Sequence, residues 1–292
     1  MSRLTLNSNA VTIEACQGLA TFQDAGRPGH AHLAISRSGA FDRQSHALAN
    51  RLVGNNDQAA TIELLRGIME LSFAAATVIA ITGAPVDIRM GSTAISMNEP
   101  IMVAPRTTVV VRTVNLAMRT YVSVRGGYDA TSVMGSRSYD ELSKLGPSPI
   151  KSGDVYGLSD AGAFDVPHMS IAHPGVSISD EVTLKVHKGP RWDWIHDAHK
   201  LVTTPFLVTS EVNRVGVRLS GHAFDWPTHE RLASEAIAHG SIQVPVSGVP
   251  LIFGPDHPTT AGYPVIAVVD QADLDVVAQV APGTSVRFRM AS

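Results

Sequence analysis

The sequence predicts a mainly β fold, a sandwich or barrel. Short apolar runs of strand length recur along all 292 residues, many with period-two alternation, and helical periodicity is confined to a few stretches. Apolar residues make up 44% of the chain and charged residues 17%, enough for a sizeable core and too little charge for a disordered chain.

The elements follow in chain order. Met69, Leu71 and Phe73 alternate with Glu70 and Ser72, and Thr77 to Thr82 is a compact apolar run. Val86, Ile88 and Met90 alternate up to Gly91-Ser92, and Ile95 and Met97 alternate on the return, which predicts a hairpin. Val109-Val110-Val111 and Tyr121 to Val124 extend the sheet. Later strands are expected at Val182 to Val186, Phe206 to Thr209, Val215 to Leu219, Leu251 to Phe253, Val265 to Val269 and Val286 to Met290. The clearest helix runs from Asp42, a capping residue, to Val53, with Leu48 and Leu52 on one face and Gly54 to end it. Thr228 to His239 and Asp270 to Val280 are two further helix candidates. Residues 160–180 are richer in Gly, Pro, Ser and His, and divide the chain into domains at 1–165 and 176–292.

Composition narrows the function. The formal net charge of −3 leaves no basic footprint for nucleic acid. Cys16 is the single cysteine, so there is no disulfide framework and no Cys-based zinc site, which suits a reducing cytoplasm. Residues 1–7 lack the apolar run of a signal peptide, and no stretch approaches the roughly 18 apolar residues of a membrane span. There is no P-loop, no G-x-S-x-G elbow and no H-E-x-x-H helix. Lys144, Lys151, Lys185, Lys188 and Lys200 all lie outside the Met-Lys-Met context of a biotinylated lysine.

The residues that can carry chemistry are polar, anion-handling groups. Asp256, His257, Thr259, Thr260 and Tyr263 fill a loop between two apolar strands, where five convergent polar groups suggest a site; a self-satisfied turn is the alternative. Gln23, Asp24 and Arg27 share an earlier loop, where Arg27 can bind a carboxylate or pair with Asp24. Ser38-Gly39 precedes the helix opened by Asp42, a place that suits an anion or plain capping. Arg137 and Ser138 follow Gly135 and can contact a ligand, a partner or nothing. Asn213, Arg214 and Arg218 flank alternating apolar residues, and on a strand the two arginines share a face across Gly216. That face suits a carboxylated or phosphorylated ligand, or is a solvated, ion-paired surface. Gln243 precedes Val244-Pro245 at the end of another apolar run. Asp193, His196, Asp197 and His199 form the densest His/Asp cluster and read as a surface helix rather than a metal site.

Several of these segments stand as ordered motifs: Phe22-Gln23-Asp24-Ala25-Gly26-Arg27, Ser38 to Asp42, Ala49 to Asn55, Ile62-Glu63, Gly126-Gly127, Met134 to Ser138, Ser210 to Leu219, Ile242 to Pro245, Gly248 to Leu251 and Asp256 to Pro264. Together they resemble the family of the 5-oxoprolinase C subunit and allophanate hydrolase subunit 2, carboxyltransferase-like proteins that include the antagonist of a sporulation-kinase inhibitor. Ala261 replaces the first glycine of the family's G-G-Y-P, and the stretch after Ser138 is shortened. The resemblance implies two β-barrel-like halves, the second cyclophilin-like. It implies a cytoplasmic subunit of an ATP-dependent 5-oxoprolinase that opens the lactam of 5-oxoproline to L-glutamate. ATP is handled at the level of the complex, no biotin is attached to this chain, and no metal ligands are indicated. The partners implied are a smaller companion, of the type of the 5-oxoprolinase B subunit or allophanate hydrolase subunit 1, and a lactam-acting A subunit. On this reading Asp256, Thr259, Thr260 and Tyr263 are catalytic, and Asn213, Arg214, Arg218, Gln243, Asp24, Arg27, Ser38, Arg137 and Ser138 hold substrate. Two alternatives stay open: carboxyl transfer to urea or another small amide, and a non-catalytic module that binds the kinase-inhibitor-like partner.

Overall fold

A computed structural model describes residues 9–114, 118–159, 179–226 and 232–291. The protein is mainly β, and the described residues fall into two compact units. The first takes Met1–Gly26, Asp42–Tyr139 and Leu145–Ser177; the second takes Arg27–Phe41, Asp140–Lys144 and Ile178–Ser292. The boundary expected between 165 and 176 lies outside the described residues.

The first unit carries strands β1 (Ala10–Gln23), β2 (Thr61–Phe73), β3 (Thr77–Gly83), β4 (Val86–Met90), β5 (Thr93–Ile95), β6 (Ile101–Val103), β7 (Thr108–Thr113), β8 (Arg119–Val124), β9 (Tyr128–Asp129) and β10 (Val155–Leu158). They form one ten-stranded sheet, ordered β5-β4-β7-β2-β1-β10-β9, with β8 joining β2 to β3 and β6 beyond β3. The β4–β5 hairpin pairs Ile88 with Ile95, as the alternation predicts. Val11, Ile13, Phe22, Leu64, Leu71 and Val109 are among the buried apolar residues that fill the core on one face.

Helix α1 (Arg43–Leu52) also belongs to this unit. Asp42 caps it: Oδ1 accepts from the Ser45 N–H at 2.9 Å and Oδ2 from the Ser45 hydroxyl at 2.7 Å. Leu52 and Val53 pack on Ala80 of β3. Around this apolar spot the helix and sheet bury an extended polar network. Tyr121 donates to Glu63 Oε2 at 2.8 Å and accepts from the Asp42 N–H at 2.8 Å, while Arg119 Nε lies 3.5 Å from Glu63 Oε1. His46 pairs with Thr61 Oγ1 at 2.9 Å, and Asn50 accepts from Ser123 at 2.7 Å and donates to the Ala59 carbonyl at 2.8 Å. The A-N-R-L-V-G-N and I-E segments therefore satisfy each other inside the unit, as buried polar groups must. Burial holds the His46 imidazole below its ordinary value of 6.5, so it is neutral near pH 7.

The second unit carries β11 (Glu181–Lys188), β12 (Phe206–Val212), β13 (Gly216–Ser220), β14 (Glu235–Ala236), β15 (Ser241–Gln243), β16 (Leu251–Phe253), β17 (Thr260–Ala261), β18 (Val265–Val269) and β19 (Ser285–Met290), with helices α2 (Lys200–Thr203) and α3 (Leu274–Val277). Seven strands close into a barrel in the order β11-β18-β15-β16-β13-β12-β19. Its core includes Leu184, Phe206, Val217, Ile242, Ile252, Ile266 and Phe288.

Two expectations are corrected here. Residues 232–239 are not helical: β14 pairs with β17, Glu235 opposite Ala261, and residues 227–231 lie outside the described set. Residues 192–203 form a 3-10 turn at Trp192–Trp194 and the short α2 rather than one helix, and Asp197 meets His222 Nε2 at 2.5 Å. Val109–Val111 and Val265–Val269 lie inside their sheets. β7 is paired on both sides by β2 and β4, and β18 by β11 and β15.

Candidate functional site

In the second unit the motif residues converge on one buried ion pair. Arg214 Nε donates to Asp256 Oδ2 at 2.8 Å and Nη2 donates to Oδ1 at 3.0 Å. Both side chains are excluded from solvent, at 2% and 0% exposure, so Asp256 does not lie in an open surface loop. Asp256 Oδ2 also accepts from the Glu141 N–H at 2.8 Å, and Ser38 adds a side-chain hydrogen bond. Arg214 Nη2 donates to the Gly39 carbonyl at 2.6 Å, and the Arg214 N–H donates to Glu141 Oε2 at 2.9 Å. Burial pushes the Asp256 carboxyl above its ordinary range, against the pull of Arg214 and of these hydrogen bonds.

The local chain explains the geometry. Asn213 Oδ1 accepts from the N–H groups of Val215 and Gly216, a turn that places Arg214 before β13 begins. Gly254 lies against this turn, and a Cβ there would sit 2.3 Å from the Arg214 carbonyl oxygen, so only glycine fits. Ser38 and Gly39 hold left-handed conformations, φ 54° and 92°, and are tied down by the Ser38 N–H to Pro255 carbonyl bond and by Arg214. A backbone of this kind persists only where its surroundings over-determine it. Arg27, buried at 1% exposure, ties the same segment through its N–H to the Arg37 carbonyl at 2.7 Å. Glu141 and Asp140 escape sequence reading, although they sit just after the Gly135 to Ser138 motif. Asp140 accepts from the Ser36 hydroxyl and from the N–H groups of Leu142 and Ser143.

The other residues expected around Asp256 point elsewhere. Arg218 stands on β13, half-exposed and paired with Glu211 at 2.6 Å, so the two arginines do not share a face. The reason is that the strand starts at Gly216, after the Asn213 turn. Gln243 is buried and donates to the Tyr263 carbonyl at 3.0 Å. Thr259 is half-buried, Thr260 is exposed on β17, and Tyr263 is 40% exposed with its ring 6.3 Å from Trp226. Asp256, Thr260 and Tyr263 therefore do not converge on one point. His257, mostly buried, bonds the Pro258 carbonyl through Nδ1, and burial holds it below its ordinary value.

In the first unit a second cluster centres on Asp24. Its carboxylate accepts from the Gly26 N–H at 2.7 Å, the Ser136 hydroxyl at 2.7 Å, the Arg137 N–H at 2.5 Å and the Ser138 hydroxyl at 2.6 Å. Gln23 Nε2 donates to the Tyr139 carbonyl and to Thr21 Oγ1. Asp24 and Ser138 thus shape the loop that presents Arg137. Arg137 borders a cleft of about 200 Å³, together with Asn55, Gly126, Gly127, Tyr128 and Ser159.

Among the described residues no group of three or more His, Cys, Asp or Glu is placed to hold a metal ion. No helix among them is long and apolar enough to cross a membrane.

Comparison with known proteins accounts for this pattern of motifs. Residues 33–290 match the family described as carboxyltransferase domain, subdomain A and B. The chain is 31% identical over 277 residues to the C subunit of 5-oxoprolinase from Escherichia coli K12, covering 92% of this chain and 87% of that protein. It is 30% identical over 295 residues to urea amidolyase of Lachancea kluyveri, covering 92% of this chain and 16% of that protein. The crystal structure of the Kluyveromyces lactis urea carboxylase superposes with a TM-score of 0.91 at 29% identity, over 97% of this chain and 27% of that one. The chain thus spans most of the bacterial relative and a small part of each yeast protein. It belongs to the family of the carboxyltransferase domain, subdomains A and B.

Proposed function

We propose that this chain is a carboxyltransferase-like subunit of an ATP-dependent complex that opens the lactam of 5-oxoproline to L-glutamate. The observation that carries this reading is the extent of the match: the chain corresponds to nearly the whole of a 5-oxoprolinase subunit, and to only a fragment of the urea enzymes. The chemistry asks for donors that stabilise negative charge on a small amide carbonyl oxygen, and for ATP to drive ring opening. With no P-loop in the sequence, ATP handling falls to another chain of the complex or is shared. Within this chain Asp256 already accepts from Arg214, Glu141 and Ser38. Its role on this reading is to position the Ser38-Gly39 segment, not to act as a free base. The partners proposed are the smaller companion and a lactam-acting subunit.

Carboxyl transfer to urea is the second reading, favoured by the urea amidolyase and urea carboxylase relatives. The two separate in one assay. The complex co-expressed with both partner subunits is supplied with ATP and, in turn, 5-oxoproline, urea and allophanate. Glutamate release from 5-oxoproline alone is expected. Consumption of urea that needs bicarbonate and a biotin carrier protein, without glutamate release, would replace the first reading by the second.

A further inference from the structure

We infer that the cleft bordered by Arg137 in the first unit is a binding site for a small carboxylic acid. Arg137 is anchored at the border of the cleft. Its N–H is held by Asp24 at 2.5 Å and its Nε donates to the Ala130 carbonyl at 2.9 Å, so the guanidinium is fixed in place. Neither Nη has a hydrogen-bond or ion-pair partner among the described residues. A half-buried guanidinium, anchored at Nε and with no Nη partner among the described residues, is set to receive a carboxylate.

The walls of the cleft are pinned as well. Asn55 Oδ1 accepts from the Gly126 N–H at 2.8 Å and its Nδ2 donates to the Val124 carbonyl at 2.8 Å. This holds the Gly126-Gly127 turn, whose φ values of 86° and 83° favour glycine. The Ser159 N–H donates to the Gly127 carbonyl at 2.9 Å. Asn50 fixes the opposite loop through the Ala59 carbonyl, and Asn56 Oδ1 accepts from the Gln58 N–H at 2.6 Å. Three of the sequence motifs, those containing Asn55, Gly126-Gly127 and Arg137, thereby line one cavity, and Asp24 of a fourth holds the Arg137 N–H. A site held this rigidly before binding loses little entropy when it is filled.

Size and charge select the ligand class. The cavity of about 200 Å³ is smaller than the roughly 300–1,000 Å³ of drug-sized pockets, which suits a metabolite-sized acid better than a nucleotide. Among the described residues Arg137 is the one charged side chain on its lining, which matches one carboxylate better than a doubly charged phosphate. Because 5-oxoproline is itself a carboxylic acid, this site rests on and deepens the proposed function, and binding to the isolated chain tests it separately from turnover by the complex.

Calorimetric titration of the purified chain with 5-oxoproline, malonate and inorganic phosphate decides the matter. Saturable binding of at least one carboxylate is expected, with phosphate weaker. Arg137→Met should weaken that binding at least about tenfold, the effect of losing a hydrogen bond to a charged group. Ala59→Leu, which fills the cleft from the side facing Gly127 without touching the charge, should weaken it to a similar extent, with both variants melting cooperatively. No saturable binding of either carboxylate, unchanged affinity in Ala59→Leu, or phosphate binding tighter than both acids would overturn the assignment.

Discussion

Arg214 and Asp256 form a bidentate ion pair shut away from solvent, and the same arginine holds the Gly39 carbonyl at 2.6 Å. Residues that the motifs single out therefore spend their polar groups on each other. The pair fastens the segment through Ser38-Gly39 to the turn before β13 within the second unit. A motif of this kind preserves a shape on which chemistry can be built.

Removing one partner should be severe. Asp256→Ala leaves a buried guanidinium without its counter-charge, a change that typically destabilises by about 3–5 kcal/mol. Urea denaturation should show a clear drop in midpoint. Replacing both residues, Arg214→Met with Asp256→Leu, should be less damaging than Asp256→Ala alone. A wild-type midpoint for Asp256→Ala would refute the structural role.

Asp42→Ala should destabilise the first unit by about 0.5–2 kcal/mol, since it removes the cap that bonds both the Ser45 N–H and the Ser45 hydroxyl. Thermal unfolding followed by circular dichroism is the check. An unchanged melting temperature would mean that the cap contributes nothing.

Stability should fall in mild acid. Burial lowers His46 and His257 from the ordinary value of 6.5. Between the folded and unfolded values the unfolded chain binds more protons, so stability rises with pH in that window. The contribution is fully present above about 6.5 and is lost as pH falls through the folded-state values. Denaturation midpoints at pH 7.5 and 5.5 should differ in that sense, and His46→Gln should flatten the difference. A midpoint that rises on acidification would contradict this.

Much of the fold is legible in the sequence because its signals are local. The Ile88/Ile95 hairpin shows in alternation across Gly91-Ser92, and α1 shows in its Asp42 cap. Most of the failures concern groups far apart in the chain. Asp256 reads as a loop carboxylate because nothing local reveals Arg214, 42 positions away. Residues 232–239 carry helix-forming alanine and glutamate, yet pairing of Glu235 with Ala261 claims the backbone for a strand. Arg218 is misplaced for a local reason: the Asn213 turn delays the start of β13 and takes Arg214 off the strand. The Arg137 cleft is half-legible, since its motifs are visible but their convergence is a property of the fold.

The chain is proposed to act as one subunit of a lactam-opening complex. The most direct test is the ATP-dependent release of glutamate from 5-oxoproline by this chain alone, by its two partners alone, and by all three co-expressed. Co-elution of the three proteins on size exclusion, and turnover only when all are present, are expected. Full-rate turnover by the isolated chain, or by the partners without it, would contradict the claim.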